Sequence, residues 1–243
     1  MSREPVLAGQ TVVVIGGSSG IGLETARLAR EEGADVIITA RNADRLRTVS
    51  AELGTTMAAF DVTDDDQLEQ FFRELSGPID HLMLTGRGPY YATLAEMDFE
   101  EARGDVEAHF WTVLRVARLA AAAIRPGGTM LFIGGTGGRR PSVGFSTIST
   151  FTAGMPALTK TLALELAPVR VNLIAPGFVD TPLSAALLGD GLEARREQLR
   201  ATLPIRRVVG PVDIAALALH VMTNTAITGA TLDIDGGQQL VDA

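Results

Sequence analysis

The sequence predicts a doubly wound α/β fold on one parallel sheet, spanning residues 1–243 as a single domain. Three observations predict it. Short β-branched runs alternate with longer helical patterns along the chain, which calls for parallel strands joined by right-handed crossovers. Most of those runs are apolar on both faces, as strands buried between two helix layers must be. A glycine-rich turn follows the first run and opens a helix, the start of a nucleotide-binding βαβ unit.

The expected strands are Thr11–Ile15 (TVVVI), Asp35–Thr39 (DVIIT), His81–Leu84 (HLML), Thr129–Ile133 (TMLFI), Val169–Ile174 (VRVNLI) and Thr231–Ile234 (TLDI). Between the first two, Gly16, Gly17, Ser18, Ser19, Gly20, Ile21 and Gly22 form the turn, and Ile21–Glu31 reads as a helix. Glycines there permit a sharp turn and let a pyrophosphate approach backbone amides at a helix N-terminus, where the dipole favours negative charge. Further on, Thr63-Asp64-Asp65-Asp66 supplies an N-cap and an acidic first turn ahead of Leu68, Phe71, Phe72 and Leu75. Asp98 opens a long helix reaching Ile124, which Pro126-Gly127-Gly128 stops. A further helix runs from about Ser149 to Leu166. Leu183 to Val209 reads as two short helical pieces with no strand, a lid-like insertion over the sheet.

Bulk properties narrow the function. At 46% hydrophobic and 21% charged, the chain is globular and not disordered. A formal charge of −8 disfavours a nucleic-acid or anionic-membrane surface. No cysteine is present, so disulfides, thiolate metal sites and a cysteine nucleophile are excluded, and no metal site is expected. The start, MSREPVLAGQ, has no apolar signal core and no run is long enough to span a bilayer; a cytoplasmic protein is expected.

The spacing Gly-x-x-x-Gly-x-Gly at Gly16, Gly20 and Gly22 belongs to a longer set of ordered motifs. It is joined by Asp61-Val62, Leu158 to Leu166, Arg170-Val171-Asn172, Pro176 to Thr181, Thr228-Gly229 and Asp235-Gly236-Gly237. Together these resemble the short-chain dehydrogenase/reductase family over essentially the whole chain. The resemblance implies a Rossmann-type fold and a nicotinamide cofactor. It implies that Asp61 and Val62 flank the adenine, and that the loop holding Pro176, Gly177, Val179 (backbone) and Thr181 (hydroxyl) contacts the nicotinamide carboxamide. Where such a fold binds NAD, an acid at the end of the second strand holds the ribose hydroxyls; here Ala40 stands there, followed by Arg41. The acid that would repel a 2′-phosphate is gone and a guanidinium that would pair with it is present, so NADP (NADPH) is the expected cofactor. The family's Asn-Asn-Ala-Gly after the fourth strand reads Leu84-Thr85-Gly86-Arg87 here.

The resemblance also implies a Tyr that protonates the carbonyl, a Lys four residues on that lowers its pKa and binds ribose, a Ser thirteen residues earlier, and an Asn in the preceding long helix. Registered on Leu158-Thr159-Lys160, these positions fall on Ile148, Thr152, Gly135 and His109. All four functional side chains are changed, and Lys160 lies two helical turns past the missing Lys. Candidate substitutes are His109, whose imidazole titrates near neutrality, and Tyr90 and Tyr91, in the loop after the His81–Leu84 strand. The alternatives are a packed histidine on an apolar helix and a pair of packing tyrosines. Ser146, Thr147 and Ser149 are read as helix-capping or ligand-binding hydroxyls. The loop Gly137-Gly138-Arg139-Arg140-Pro141 reads either as a solvated turn or as an anion site facing the cleft. Two functions remain open: an NADP-dependent oxidoreductase of an unknown small molecule with an atypical active site, or a non-catalytic NADP(H)-binding sensor or structural partner. The family pairs the two long helices across a two-fold axis, which implies a homodimer or homotetramer.

Overall fold

A computed structural model describes residues 5–140 and 142–241. The chain termini, including the first four residues of MSREPVLAGQ, and Pro141 of the double-arginine loop lie outside the described residues. The sheet has seven parallel strands: β1 Thr11–Ile15, β2 Asp35–Ala40, β3 Thr56–Ala59, β4 Ile79–Leu84, β5 Ile124–Ile133, β6 Arg170–Pro176 and β7 Thr231–Ile234. Their order is β3-β2-β1-β4-β5-β6-β7, with β1 paired in register to β2 (Thr11 to Asp35) and to β4 (Val12 to His81). The order reverses between β1 and β4, and in open α/β sheets ligands bind at the carboxyl ends of the strands at such a point.

Successive residues of β1 separate the two cores. Val13 and Ile15 pack in one layer; Val12 and Val14 pack in the other, the consequence of side chains alternating across a strand. The first layer is covered by α3 Asp65–Glu74, α5 Thr112–Ala123 and α6 Ser146–Glu165, through Phe71, Val116 and Leu162. The second is covered by α1 Gly20–Glu31, α2 Ala43–Leu53 and α9 Pro211–Thr223, through Ala26, Leu46 and Ala218.

Several boundaries differ from the sequence reading, for local reasons. The cap of α3 is Asp64, not Thr63: its carboxylate accepts from Gln67 N at 3.1 Å, while the Thr63 hydroxyl donates to Asp61 at 2.8 Å. The long helix starts at Phe99, with Asp98 capping Glu100 N at 2.8 Å. It runs through α4 Phe99–Val106 and a π-helical turn at Glu107–Trp111 into α5, and ends at Ala123. Ile124 already pairs with Ile79 of β4, so Pro126-Gly127-Gly128 lies in the irregular start of β5. The region after β6 contains α7 Pro182–Leu188 and α8 Leu192–Thr202, two helical pieces as expected; a single bridge joins Val179 to Val209.

Arg170 and Asn172 serve the frame. The buried Arg170 guanidinium donates to the carbonyls of Val221 (2.8 Å), Met222 (2.7 Å), Asn224 (3.1 Å), Ile227 (3.2 Å) and Gly127 (3.1 Å). It thereby satisfies carbonyls at the C-terminus of α9, where a cation also complements the helix dipole. Asn172 donates to Ile227 O and accepts from Ala230 N, tying β6 to the segment before β7.

Candidate active site

A cleft of about 1290 Å³ opens at the carboxyl ends of β1, β4 and β5. The glycine turn forms one end. Gly16 and Gly17 donate to Thr39 O at 2.9 and 3.0 Å, folding the turn back onto β2. A Cβ on Gly16, which has φ +89°, would stand 2.0 Å from Thr85 Oγ1, and one on Gly22 would stand 2.3 Å from Gly16 O. Only glycine permits this approach. Ser19 precedes α1 without a side-chain cap, which leaves the first-turn amides free for an anion. Thr85 closes the turn from below: its amide and hydroxyl both donate to Ile15 O, at 2.9 and 3.0 Å.

Arg41 reaches the rim of the cleft at the end of β2, largely exposed, with its guanidinium 4.0 Å from the Asp61 carboxylate. Asp61 is held by Thr63, which donates from its amide at 3.0 Å and from its hydroxyl. Arg45, one helical turn beyond Arg41, also lines the cleft. The sequence reading passed over Arg45, whose place on the cleft depends on how α2 packs. On the opposite side Pro176, Gly177, Val179 and Thr181 all line the cleft. Phe178 N donates to Gln238 Oε1 at 2.8 Å, Thr181 Oγ1 accepts from Ser184 N at 3.2 Å, and Asp180 is clamped by Arg196 at 2.7 and 2.9 Å. The Thr181 methyl lies 3.5 Å from where a Gly20 Cβ would stand, so the two ends of the binding surface face each other. These glycines, the uncapped helix start and the paired loops fit a dinucleotide.

Positions 109, 135, 148 and 152 all line this cleft. A Cβ on Gly135 would stand 3.4 Å from Thr152 Cγ2. Thr152 donates to the Ile148 carbonyl of its own helix at 2.8 Å, so its hydroxyl is spent on the backbone. His109 sits in the π-helical turn, and its ring packs 5.7 Å from Phe151. Its Nδ1 lies 3.1 Å from the Asp105 carboxylate and 3.0 Å from Asp105 O, and its Nε2 lies 3.1 Å from Arg87 O. Both ring nitrogens thus face acceptors, which the imidazolium satisfies and a neutral ring does not. Burial opposes the charge, but the Asp105 carboxylate and the two carbonyls outweigh it and raise the His109 pKa. Asp105 responds in kind: burial pushes its carboxyl up, yet His109 and the Tyr90 amide hold it below the usual range.

The two tyrosines part company. Tyr91 lines the cleft, its ring tilted against Phe145 at 4.9 Å, with its phenol pushed up by burial and by the Asp105 charge. Tyr90 is not among the lining residues. Its hydroxyl accepts from Asp98 N at 2.8 Å, its amide donates to Asp105 at 3.1 Å and its carbonyl accepts from Thr147 at 3.3 Å. Ser146 Oγ is exposed, and Ser149 donates to Gly137 O at 3.2 Å. Among the described residues no three His, Asp or Glu side chains converge as a metal site.

Residues 15–239 match the family described as enoyl-(acyl carrier protein) reductase. A putative ketoacyl reductase from Streptomyces coelicolor is 32% identical over 251 residues, covering 94% of this chain and 96% of its own. The reductase/Diels-Alderase MalC from Malbranchea aurantiaca superposes with a TM-score of 0.91 at 26% identity, over 98% of this chain and 99% of its own. A variant of actinorhodin polyketide ketoreductase with NADPH gives 0.87 at 29% identity, over 98% and 99%. Fold, cleft and matches define a nicotinamide-dependent class of oxidoreductases. The chain belongs to the short-chain dehydrogenase/reductase family.

Proposed function

We propose that this protein is an NADP(H)-dependent oxidoreductase of a small carbonyl compound, in which His109, kept protonated by Asp105, takes the place of the family's tyrosine. The observation that carries the reading is the His109–Asp105 pair itself: an imidazole 3.1 Å from a buried carboxylate that raises its pKa, at 16% side-chain exposure, on the same cleft as Ile148 and Thr152. Groups that titrate near the operating pH are the efficient general acids. The Tyr91 phenol moves the other way, further from neutrality.

The cofactor reading rests on Arg41 beside Ala40, with Arg45 behind it, and on the NADPH that accompanies the actinorhodin ketoreductase structure. Gly16, Ser18, Ser19, Gly20, Ile21 and Gly22 offer amides and hydroxyls to the pyrophosphate, Asp61 and Val62 flank the adenine, and Pro176, Gly177, Val179 and Thr181 hold the nicotinamide. A reduced nicotinamide, when bound, supplies hydride. The chain's own work is to orient the carbonyl, exclude water and deliver one proton. His109 Nε2–H, which rests on Arg87 O, is the proton source once a substrate oxygen displaces that carbonyl. Residues 183–209 act as the substrate lid; Leu183 packs where a Cβ on Gly88 would come within 2.7 Å of it.

Two observations favour the non-catalytic reading: Nε2 is already engaged by Arg87 O, and Thr152, at the expected place of the ribose-binding lysine, spends its hydroxyl on the Ile148 carbonyl. Single-turnover oxidation of NADPH at 340 nm against a carbonyl panel separates the two. Turnover in wild type that falls ~10²–10⁴-fold in His109→Gln, with NADPH binding intact, is expected. Turnover untouched by His109→Gln would remove His109 from the chemistry. Binding of NADPH without turnover on any carbonyl would favour the sensor.

A further inference from the structure

Two pairs of adjacent arginines flank the catalytic end of the cleft, and each pair is divided in the same way. Arg139 is clamped by Asp233 (2.8 Å to Oδ1) and by Gln239 (2.9 Å), while Arg140 lines the cleft and donates only to the Gln238 carbonyl, at 2.5 Å. Arg196 is clamped by Asp180 and Glu193, while Arg195 lines the cleft and donates only to the neutral Gln198 side chain, at 2.6 Å. Arg195 also lies 5.9 Å over the Phe178 ring, within cation–π reach. Among the described residues neither Arg140 nor Arg195 has a carboxylate partner, and the acid that lines the cleft, Asp61, belongs to the adenosine end.

We propose that Arg140 and Arg195 together bind an oxyanion carried by the substrate, a carboxylate or a phosphate, against Phe178. This deepens the reading of the protein as an NADP(H)-dependent oxidoreductase and rests on it for the identity of the neighbouring nicotinamide site. Arg140 and Arg195 are both half-buried residues. Burial first, and then the charge of Arg140, lower the Arg195 pKa. Two like charges brought together out of water destabilise each other unless an anion completes the group. With 29 acidic residues in the chain, the absence of one at this spot leaves the anion to the ligand. A planar guanidinium from each of two elements suits bidentate capture of such a group. It would fix a substrate carbonyl at a set distance from its charged end, between the lid helix α8 and the turn after β5.

The test uses the full chain and Arg140→Gln, Arg195→Gln, the double variant and Arg195→Lys. Calorimetry of NADPH-loaded protein with phenylglyoxylate and with its methyl ester reads the charge preference. Inorganic phosphate as competitor reads whether the site takes either oxyanion. The acid should bind about tenfold or more above the ester. The double variant should lose that preference, Arg195→Lys should keep part of it, and NADPH affinity should stay within about twofold throughout, since the predicted cofactor contacts lie elsewhere. Displacement of the acid by phosphate marks a phosphate-bearing substrate; its absence marks a carboxylate, and both support the site. No acid-over-ester preference in wild type, or a preference that survives the double variant, overturns the proposal. So does a loss of NADPH affinity in the variants, which would make these arginines cofactor ligands. Repeating the acid–ester comparison without NADPH reads the anion site even where the cofactor reading fails.

Discussion

His109 answers to two neighbours, the Asp105 carboxylate through Nδ1 and the Arg87 carbonyl through Nε2. Its raised pKa means that the imidazolium dominates at and below the ordinary histidine value of 6.5 and is lost as pH rises through the raised pKa. Turnover should therefore decline at alkaline pH with a single proton lost. Asp105→Asn should move that decline to lower pH while NADPH affinity holds, an effect expected of a residue that acts through His109. His81 on β4 titrates with the opposite sign. Burial pushes its pKa down to about 4; the Asp80 charge opposes that shift, and the Arg170 charge adds a smaller lowering effect. Its Nε2 contacts Gln10 Oε1 at 2.6 Å, while Nδ1 is buried without a partner. Here the unfolded chain takes up the proton first, so stability contributed by the neutral ring is present above 6.5 and is lost as pH falls toward about 4. The loss reaches roughly 3 kcal/mol once the pH has fallen below the folded-state value of about 4. Chemical denaturation at pH 7 and pH 4.5 should show wild type losing more on acidification than His81→Asn; equal losses would show that His81 is not the source.

At the scale of elements, strands and the glycine turn were legible because their chemistry is local: TVVVI and HLML are apolar on both faces, and Gly16 and Gly22 occupy places where a Cβ would strike Thr85 and Gly16 O. Gly22→Ala should accordingly weaken NADPH by more than tenfold, and unchanged affinity would show that the turn relaxes without cost. What escaped was set by tertiary context. β3 is four residues of modest apolarity, TMAA, recognisable only beside β2. In α2, ADRLRTVSAEL, the polar face outweighs the buried Leu46 and Val49. The π-helical turn that carries His109 has no local sequence mark, and the part played by Asp105 depends on a carboxylate one turn away being fully buried. The register of the missing tetrad rests on motif spacing; Gly135, Ile148 and Thr152 all line the cleft, and a Cβ on Gly135 would stand 3.4 Å from Thr152 Cγ2. Restoring Ser, Tyr and Lys at positions 135, 148 and 152 should raise turnover on a simple carbonyl; flat activity with NADPH still bound would contradict the register.

At the scale of the whole molecule, the described chain presents two long helices, α4–α5 and α6, with exposed Phe99, Trp111 and Leu164, and no helix long and apolar enough to cross a membrane. Gly154, Ala157 and Thr161 share the exposed side of α6 with Leu164, small residues that let a second helix approach. A homodimer or homotetramer through these faces is the expected state, and Leu164→Arg should lower the mass measured by light scattering at micromolar concentration; a wild-type monomer would refute it. The central claim concerns the cleft as a whole, from Arg41 to Thr181, as a site for NADP(H). Its most direct measurement is calorimetric titration of wild type and Arg41→Ala with NADPH and NADH. A charge-assisted contact to the 2′-phosphate is worth about 1.5–3 kcal/mol, so NADPH should bind wild type at least tenfold more tightly than NADH, and Arg41→Ala should erase most of that difference while leaving NADH nearly unchanged. A wild type that prefers NADH, or an Arg41→Ala variant that weakens both dinucleotides equally, would contradict the account.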